Sequence, residues 1–211
     1  MAFMDEEILK QKKRLDEAKK KYESQENMEK EAESSIYDEE VVIMGKPVKF
    51  ERRKIEELGI SIMMPTEFFR LSDDLTRLMF PAGNPPTHLF GGEDINFQIS
   101  LNHTTHKVSN DRIKDFLKLS EQMLKVAGPR VTVVDKMVEE KDDYYVGILS
   151  FVSKAVDTMV YNNQFFLTVG DSLLMGNLSF PSKYKTRFIN MAKEVIMSIE
   201  KEDENGSDNP S

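Results

Sequence analysis

Two short apolar runs far apart in the chain, Ile60-Ser61-Ile62-Met63-Met64-Pro65 and Ile196-Met197-Ser198-Ile199, constrain this sequence more than any other feature. The first is β-branched, apolar and stopped by a proline, which reads as a strand; the second ends an amphipathic helical pattern. Together they read as the opening strand and closing helix of one compact domain, with strand-like runs and one long helical run between them. A chain of 211 residues, 39% hydrophobic and 31% charged, can bury one full core and still carry polar appendages.

Residues 5–34 hold neither Pro nor Gly and are dominated by Glu, Lys, Asp, Gln and Ala, which favours helix. Ile8, Leu15 and Tyr22 recur at heptad spacing with Ala18 between, but the stripe thins to Met28 and Ala32. Residues 1–35 therefore read as a charged helical arm, either solvated or used for docking or dimerisation. Residues 36–58 read as a connector with a short hairpin, 41–44 and 47–50 flanking Gly45-Lys46. Strands are expected at 60–64, 75–80 and 95–101, the last with Ile95, Phe97, Ile99 and Leu101 on one face.

Ser109 or Asn110 can cap a helix whose stripe is Ile113, Phe116, Leu117, Ser120, Leu124 and Ala127, and Gly128-Pro129 ends it. Four runs at 130–139, 143–153, 157–169 and 172–180, with turns at Asp142-Asp143 and Gly170-Asp171, predict an antiparallel meander. A final helix from Pro181 turns Tyr184, Phe188, Met191, Val195 and Ile199 inward, and the tail 201–211 has a disordered composition.

Along 144–152, Tyr145, Leu149 and Phe151 alternate with Tyr144, Val146, Ile148 and Val152, so both faces of this strand are apolar and both need cover. The two amphipathic helices can supply it from opposite sides. The fold class predicted is α+β, an antiparallel sheet flanked by helices on both faces in an α/β/α sandwich, preceded by the charged N-terminal helix. If one face stays partly open, the expected partner-binding surface is Tyr144, Val146, Ile148, Val160 and Phe166.

The chemistry points away from catalysis. With no cysteine, disulfides, thiolate nucleophiles and Cys-based metal sites are excluded, which fits a reducing cytoplasm. A net charge of -8 disfavours nucleic acid, and neither a leader-like N-terminus nor a membrane-length apolar run is present. His103 and His106 fall on opposite faces of a strand, and the remaining histidine is His88, so neither a metal nor another cofactor is expected. The carboxylate pairs Asp73-Asp74, Glu93-Asp94 and Asp142-Asp143 read as turn residues. Gly91-Gly92 lacks a phosphate-loop context, no Gly-x-Ser-x-Gly elbow occurs, and Lys183, Lys185 and Arg187 read as a solvated cluster. The thirteen methionines suit an adaptable surface as well as a core.

The stretch from Gly59 to Phe69 followed by Leu71-Ser72-Asp73-Asp74, and the later Phe180-Pro181 junction before a helix closing on Ser198-Ile199, resemble the superfamily of photosystem II PsbP, bacterial DcrB and a Ran-binding import factor. The resemblance covers about 59–200 and implies a sandwich used for binding, since members act as adaptors, assembly factors or chaperones, including adaptors for type VI secretion effectors. It transfers no site residues. The expected function is a non-enzymatic cytoplasmic module that binds a protein client as chaperone or adaptor. An assembly component that dimerises through the arm and a small-ligand binder or enzyme remain open alternatives.

Overall fold

The structure, a computed structural model, describes residues 34–202 apart from 44–45, 82, 94–95, 127–129 and 156. The arm up to residue 33, the tail beyond 202, Ile95 and the Gly128-Pro129 stop lie outside the described residues.

The chain begins with the hairpin β1 (Val41–Ile43) and β2 (Lys46–Val48), in which Val41 faces Val48. Strand β3 (Phe50–Ile55) then pairs along its length with β4 (Ile60–Pro65). After β5 (Phe69–Arg70) come helix α1 (Asp73–Met79), β6 (His88–Gly91) and β7 (Gln98–Lys107). Helix α2 (Ile113–Val126) leads into the meander β8 (Val131–Lys141), β9 (Tyr144–Lys154), β10 (Met159–Val169) and β11 (Ser172–Pro181). Helix α3 (Lys185–Met197) and the short β12 (Glu200–Lys201) complete the fold.

A seven-stranded antiparallel sheet runs β5-β6-β7-β11-β10-β9-β8, and a smaller sheet runs β12-β4-β3. Tight turns set the meander register: Lys141 faces Tyr144 and Val169 faces Ser172, and the first turn residues, Asp142 (φ 50°) and Gly170 (φ 58°), take the left-handed backbone such turns need. The outermost strand β8 is irregular between Val133 and Asp135, where one extra residue bulges out of register with β9.

The sandwich is as the alternation implies. One face of the large sheet, with Tyr144, Val146, Ile148, Phe165 and Leu178, packs with α3 and the smaller sheet in one apolar cluster. Phe97, Phe180 and Phe188 are its aromatic centre, with ring centroids 5.4–6.1 Å apart. Gly176 is needed there because the Phe165 ring lies on it, 2.0 Å from where a Cβ would stand. The other face carries α2, whose Ile113 and Leu117 pack with Leu149, Phe166 and Leu173. Here Gly147 allows the close approach, since a Cβ would lie 3.0 Å from Ile113.

The runs 60–65 and 196–199 meet directly. Met63 N donates to Ser198 Oγ at 2.9 Å, and Glu200 pairs with Ser61. Tyr144 Oη donates to Ile199 O at 2.6 Å, and burial pushes its phenol up to about 12.

Two expectations are corrected. Residues 75–80 form no strand: Ser72 Oγ accepts from Leu75 N, Asp73 and Asp74 occupy the first turn, and α1 follows. The spacing of Leu75, Leu78 and Met79 is helical, and an apolar composition alone cannot separate the two forms. The stretch 36–58 is more than a connector, because Ile36, Val41, Ile43, Val48 and Ile55 are buried in the main cluster. Ser35 Oγ and Ile36 N both donate to Glu194 Oε2 of α3, at 3.0 and 2.8 Å, fixing this segment to the closing helix.

Candidate functional site

Helix α2 does not cover its whole side of the sheet; it lies mainly over β8, β9 and β10 and meets β11 at Leu173. On one flank Glu121 accepts from Lys125 and from Lys136 of β8, and these two ammonium groups hold its carboxyl down to about 2. With 3.6 residues per turn, Leu119, Met123 and Val126 come round on the side of the helix away from Glu121. They are exposed by 51%, 66% and 87%. An apolar helix flank of this kind normally has a neighbour.

The floor beside that flank is polar and uncharged. Register places Ser100 and Gln98 of β7 beside Asn177 and Ser179 of β11, with Asn162 of β10 next to Ser179. The same face carries Gln164, whose Oε1 accepts from Ser120 of α2 at 2.7 Å. Asn177 Nδ2 donates to Asn162 Oδ1 at 3.1 Å, and Asn162 Nδ2 donates to Ser153 Oγ at 3.0 Å, so a chain of amides crosses three strands. Asn177 Oδ1 is buried and accepts no hydrogen bond among the described residues. The floor ends in a depression of about 310 Å³ at Gln98, Ser179 and Val160. The exposed apolar flank of α2 and this polar part of the sheet together make a ledge, apolar on the helix and hydrogen-bonding on the sheet.

The surface expected from the sequence is not there as drawn. Tyr144, Val146 and Ile148 are buried under α3 and the smaller sheet, so that face is the sealed one. Phe166 lies on the opposite face, buried beneath α2. Val160, paired with Ser153, shares that opposite face and is half-buried at the depression. The five residues thus divide between two faces. Counting alternation from 144 cannot show that 160 and 166 fall out of phase, because the register between β9 and β10 decides it.

The remaining candidates are scattered. His103 and His106 are exposed on β7, while His88 is buried on β6. Lys183 and Lys185 lie over the rings of Tyr184 and Tyr161, at 4.9 and 5.3 Å from the centroids. Asp73 opens α1 and, with Arg70, Thr76, Arg77 and His88, lines a cleft of about 450 Å³. Sequence reasoning passed over both this cleft and the ledge. The ledge has a visible signal in hindsight: Gln98, Ser100, Asn162, Gln164, Asn177 and Ser179 are neutral polar residues at period two in central strands.

No family model matches the chain, and no curated protein matches it. Among solved structures it is similar to cyanobacterial PsbP (CyanoP) from Synechocystis sp. PCC 6803, with TM-score 0.54 and 10% identity over 72% of this chain and 92% of that one. Looser matches include LpqN of Mycobacterium tuberculosis, described as involved in cell envelope biogenesis (TM-score 0.46, 11% identity, 72% and 90% covered). Another is a Pseudomonas aeruginosa protein of unknown function (TM-score 0.41, 11% identity, 77% and 99% covered). The fold the sequence resemblance implied is therefore the fold observed.

Proposed function

We propose that this is a non-enzymatic, cytoplasmic protein-binding module of chaperone or adaptor type, and that its client lies as an amphipathic helix along the ledge beside α2. The observation that carries this reading is the pairing of an exposed apolar wall, Leu119, Met123 and Val126, with an uncharged polar floor in a chain otherwise 31% charged. Removing that wall from water stabilises a complex by about 25 cal/mol per Å². The floor's partly exposed amide and hydroxyl groups can pair with polar side chains of a client helix. An exposed apolar helix flank with hydrogen-bonding groups on the same side of the sheet suits the helix-in-groove mode of recognition. The PsbP-like fold is in keeping with the binding role implied by the family resemblance.

The test compares proteins retained from the native host by the unaltered chain and by the double variant Leu119→Glu/Met123→Glu, using quantitative mass spectrometry. A client should bind the first and be lost from the second, with far-UV circular dichroism unchanged. Equal retention by both chains overturns the placement on the ledge.

A further inference from the structure

The cleft beside α1 is separate from the ledge and has a different chemistry. Its base is formed by Thr76, Pro86 and His88, all buried, and its rim by exposed charged residues, Glu57 and Arg70 on one side and Asp73 and Arg77 on α1. Its volume, about 450 Å³, is that of a small-molecule site. Arg70 is only loosely engaged: Nη1 donates to Glu57 Oε1 at 3.4 Å and Nη2 to Thr87 O at 3.2 Å. Asp73 and Arg77 stand one helical turn apart, in the order that favours an i,i+4 pair. Among the described residues, no ion pair joins them to each other or to any other group.

His88 is 6% exposed, and its Nδ1 has no hydrogen-bond partner among the described residues. Burial, then the neighbouring Arg70 cation, lowers its pKa, so the imidazole is neutral at pH 7 and adds no charge to the base. The sign of the cleft is left to the rim, where both signs are present. A simple anion there would meet Asp73 and Glu57, and a simple cation would meet Arg70 and Arg77. Only a ligand carrying both charges satisfies both sides.

We propose that this cleft binds a small zwitterion of α-amino-acid type, its carboxylate held by Arg77 and Arg70, its ammonium by Asp73, and its side chain against Pro85 and Pro86. The guanidinium fork matches a carboxylate geometrically, and Asp73 gives the ammonium a charged acceptor. The reading does not depend on the ledge.

The test is a two-dimensional amide NMR titration of the full chain with the proteinogenic amino acids, one at a time. The best ligand is then repeated as its N-acetyl derivative and as its carboxamide, with inorganic phosphate as a plain anion. A free amino acid should give saturable shifts at Thr76, Thr87 and His88, and each capped derivative should bind roughly tenfold or more weakly, since each loses one charged partner. Arg77→Gln and Asp73→Asn, both exposed substitutions, should each remove the binding while leaving the spectrum dispersed. The proposal is overturned if no amino acid saturates, if phosphate or a capped derivative binds as tightly, or if Arg77→Gln retains binding. Should either variant unfold, the capped derivatives on the unaltered chain still decide.

Discussion

On the α3 side of the large sheet, Tyr144, Val146, Ile148, Phe165 and Leu178 meet a continuous apolar layer. On the α2 side the same strands change character partway across, from Leu149 and Phe166 under the helix to Asn162, Asn177 and Ser100 beyond it. The sealed side holds the aromatic centre and the contacts to the smaller sheet. The other side places its apolar residues under one helix and is polar beyond it. A single sheet can therefore be sealed on one surface and partly open on the other, because alternate side chains are independent in direction.

The contrast predicts a graded response to mutation. Phe188→Ala on the sealed side should cost about 3–5 kcal/mol, enough to threaten a marginally stable domain, and chemical denaturation measures it. Ile148→Ser should fall in the same range, since it opens a cavity and buries a hydroxyl. A loss under about 1 kcal/mol at both positions would break the distinction between the faces. Phe116→Ala, at a half-buried position on the α2 side, should cost about half as much as Phe188→Ala, and an equal loss would mean that α2 is covered as fully as α3.

Leu119→Glu and Met123→Glu should change stability by no more than about 0.5 kcal/mol, because both side chains already face water. A drop in melting temperature comparable to that of Phe116→Ala would show the wall to be occupied within the free protein. The smallest effect is electrostatic. Glu121 titrates at about 2 against an ordinary 4.5, so its contribution is complete above 4.5 and disappears as pH falls from there toward 2. Glu121→Gln should flatten that part of the stability profile only slightly, since both lysine partners are exposed and water screens the pairs. Carbon-detected NMR titration of the side chain checks the value, and an ordinary carboxylate midpoint would remove the pairing with Lys125 and Lys136.

Much of this architecture was legible because periodicity is set by elements longer than a turn. The meander runs were located within a few residues, and the stripe on 113–124 faced the sheet as read, with Ile113 and Leu117 buried. Residues 75–80 misled because an apolar run of that length satisfies either period, and the Ser72 cap was the deciding sign. Residues 36–58 were undervalued because β3, with Glu51, Arg52, Arg53 and Lys54, looks like surface until Ile55 and the pairing with β4 anchor it. The five residues of the expected partner surface divide between two faces for a different reason. Large apolar residues were sought, whereas the open part of the sheet is marked by amides and hydroxyls that look unremarkable one strand at a time. The cleft could not be read at all, since Glu57, Asp73 and His88 are joined only by tertiary structure.

The irregularity in β8 has a consequence for life at high concentration. An eleven-residue outer strand is long enough to template addition of an identical strand from another molecule, the first step toward a fibril. The extra residue between Val133 and Asp135 breaks that template after three residues, and exposed Asp135 and Lys136 stand immediately beyond the break. A strand arriving in register with Val131–Val133 would be out of step by Lys136 and would have to desolvate both charges to continue. The bulge thus acts as a built-in stop against polymer growth, positioned at the one long border strand of the sheet that has no strand paired along its outer edge among the described residues.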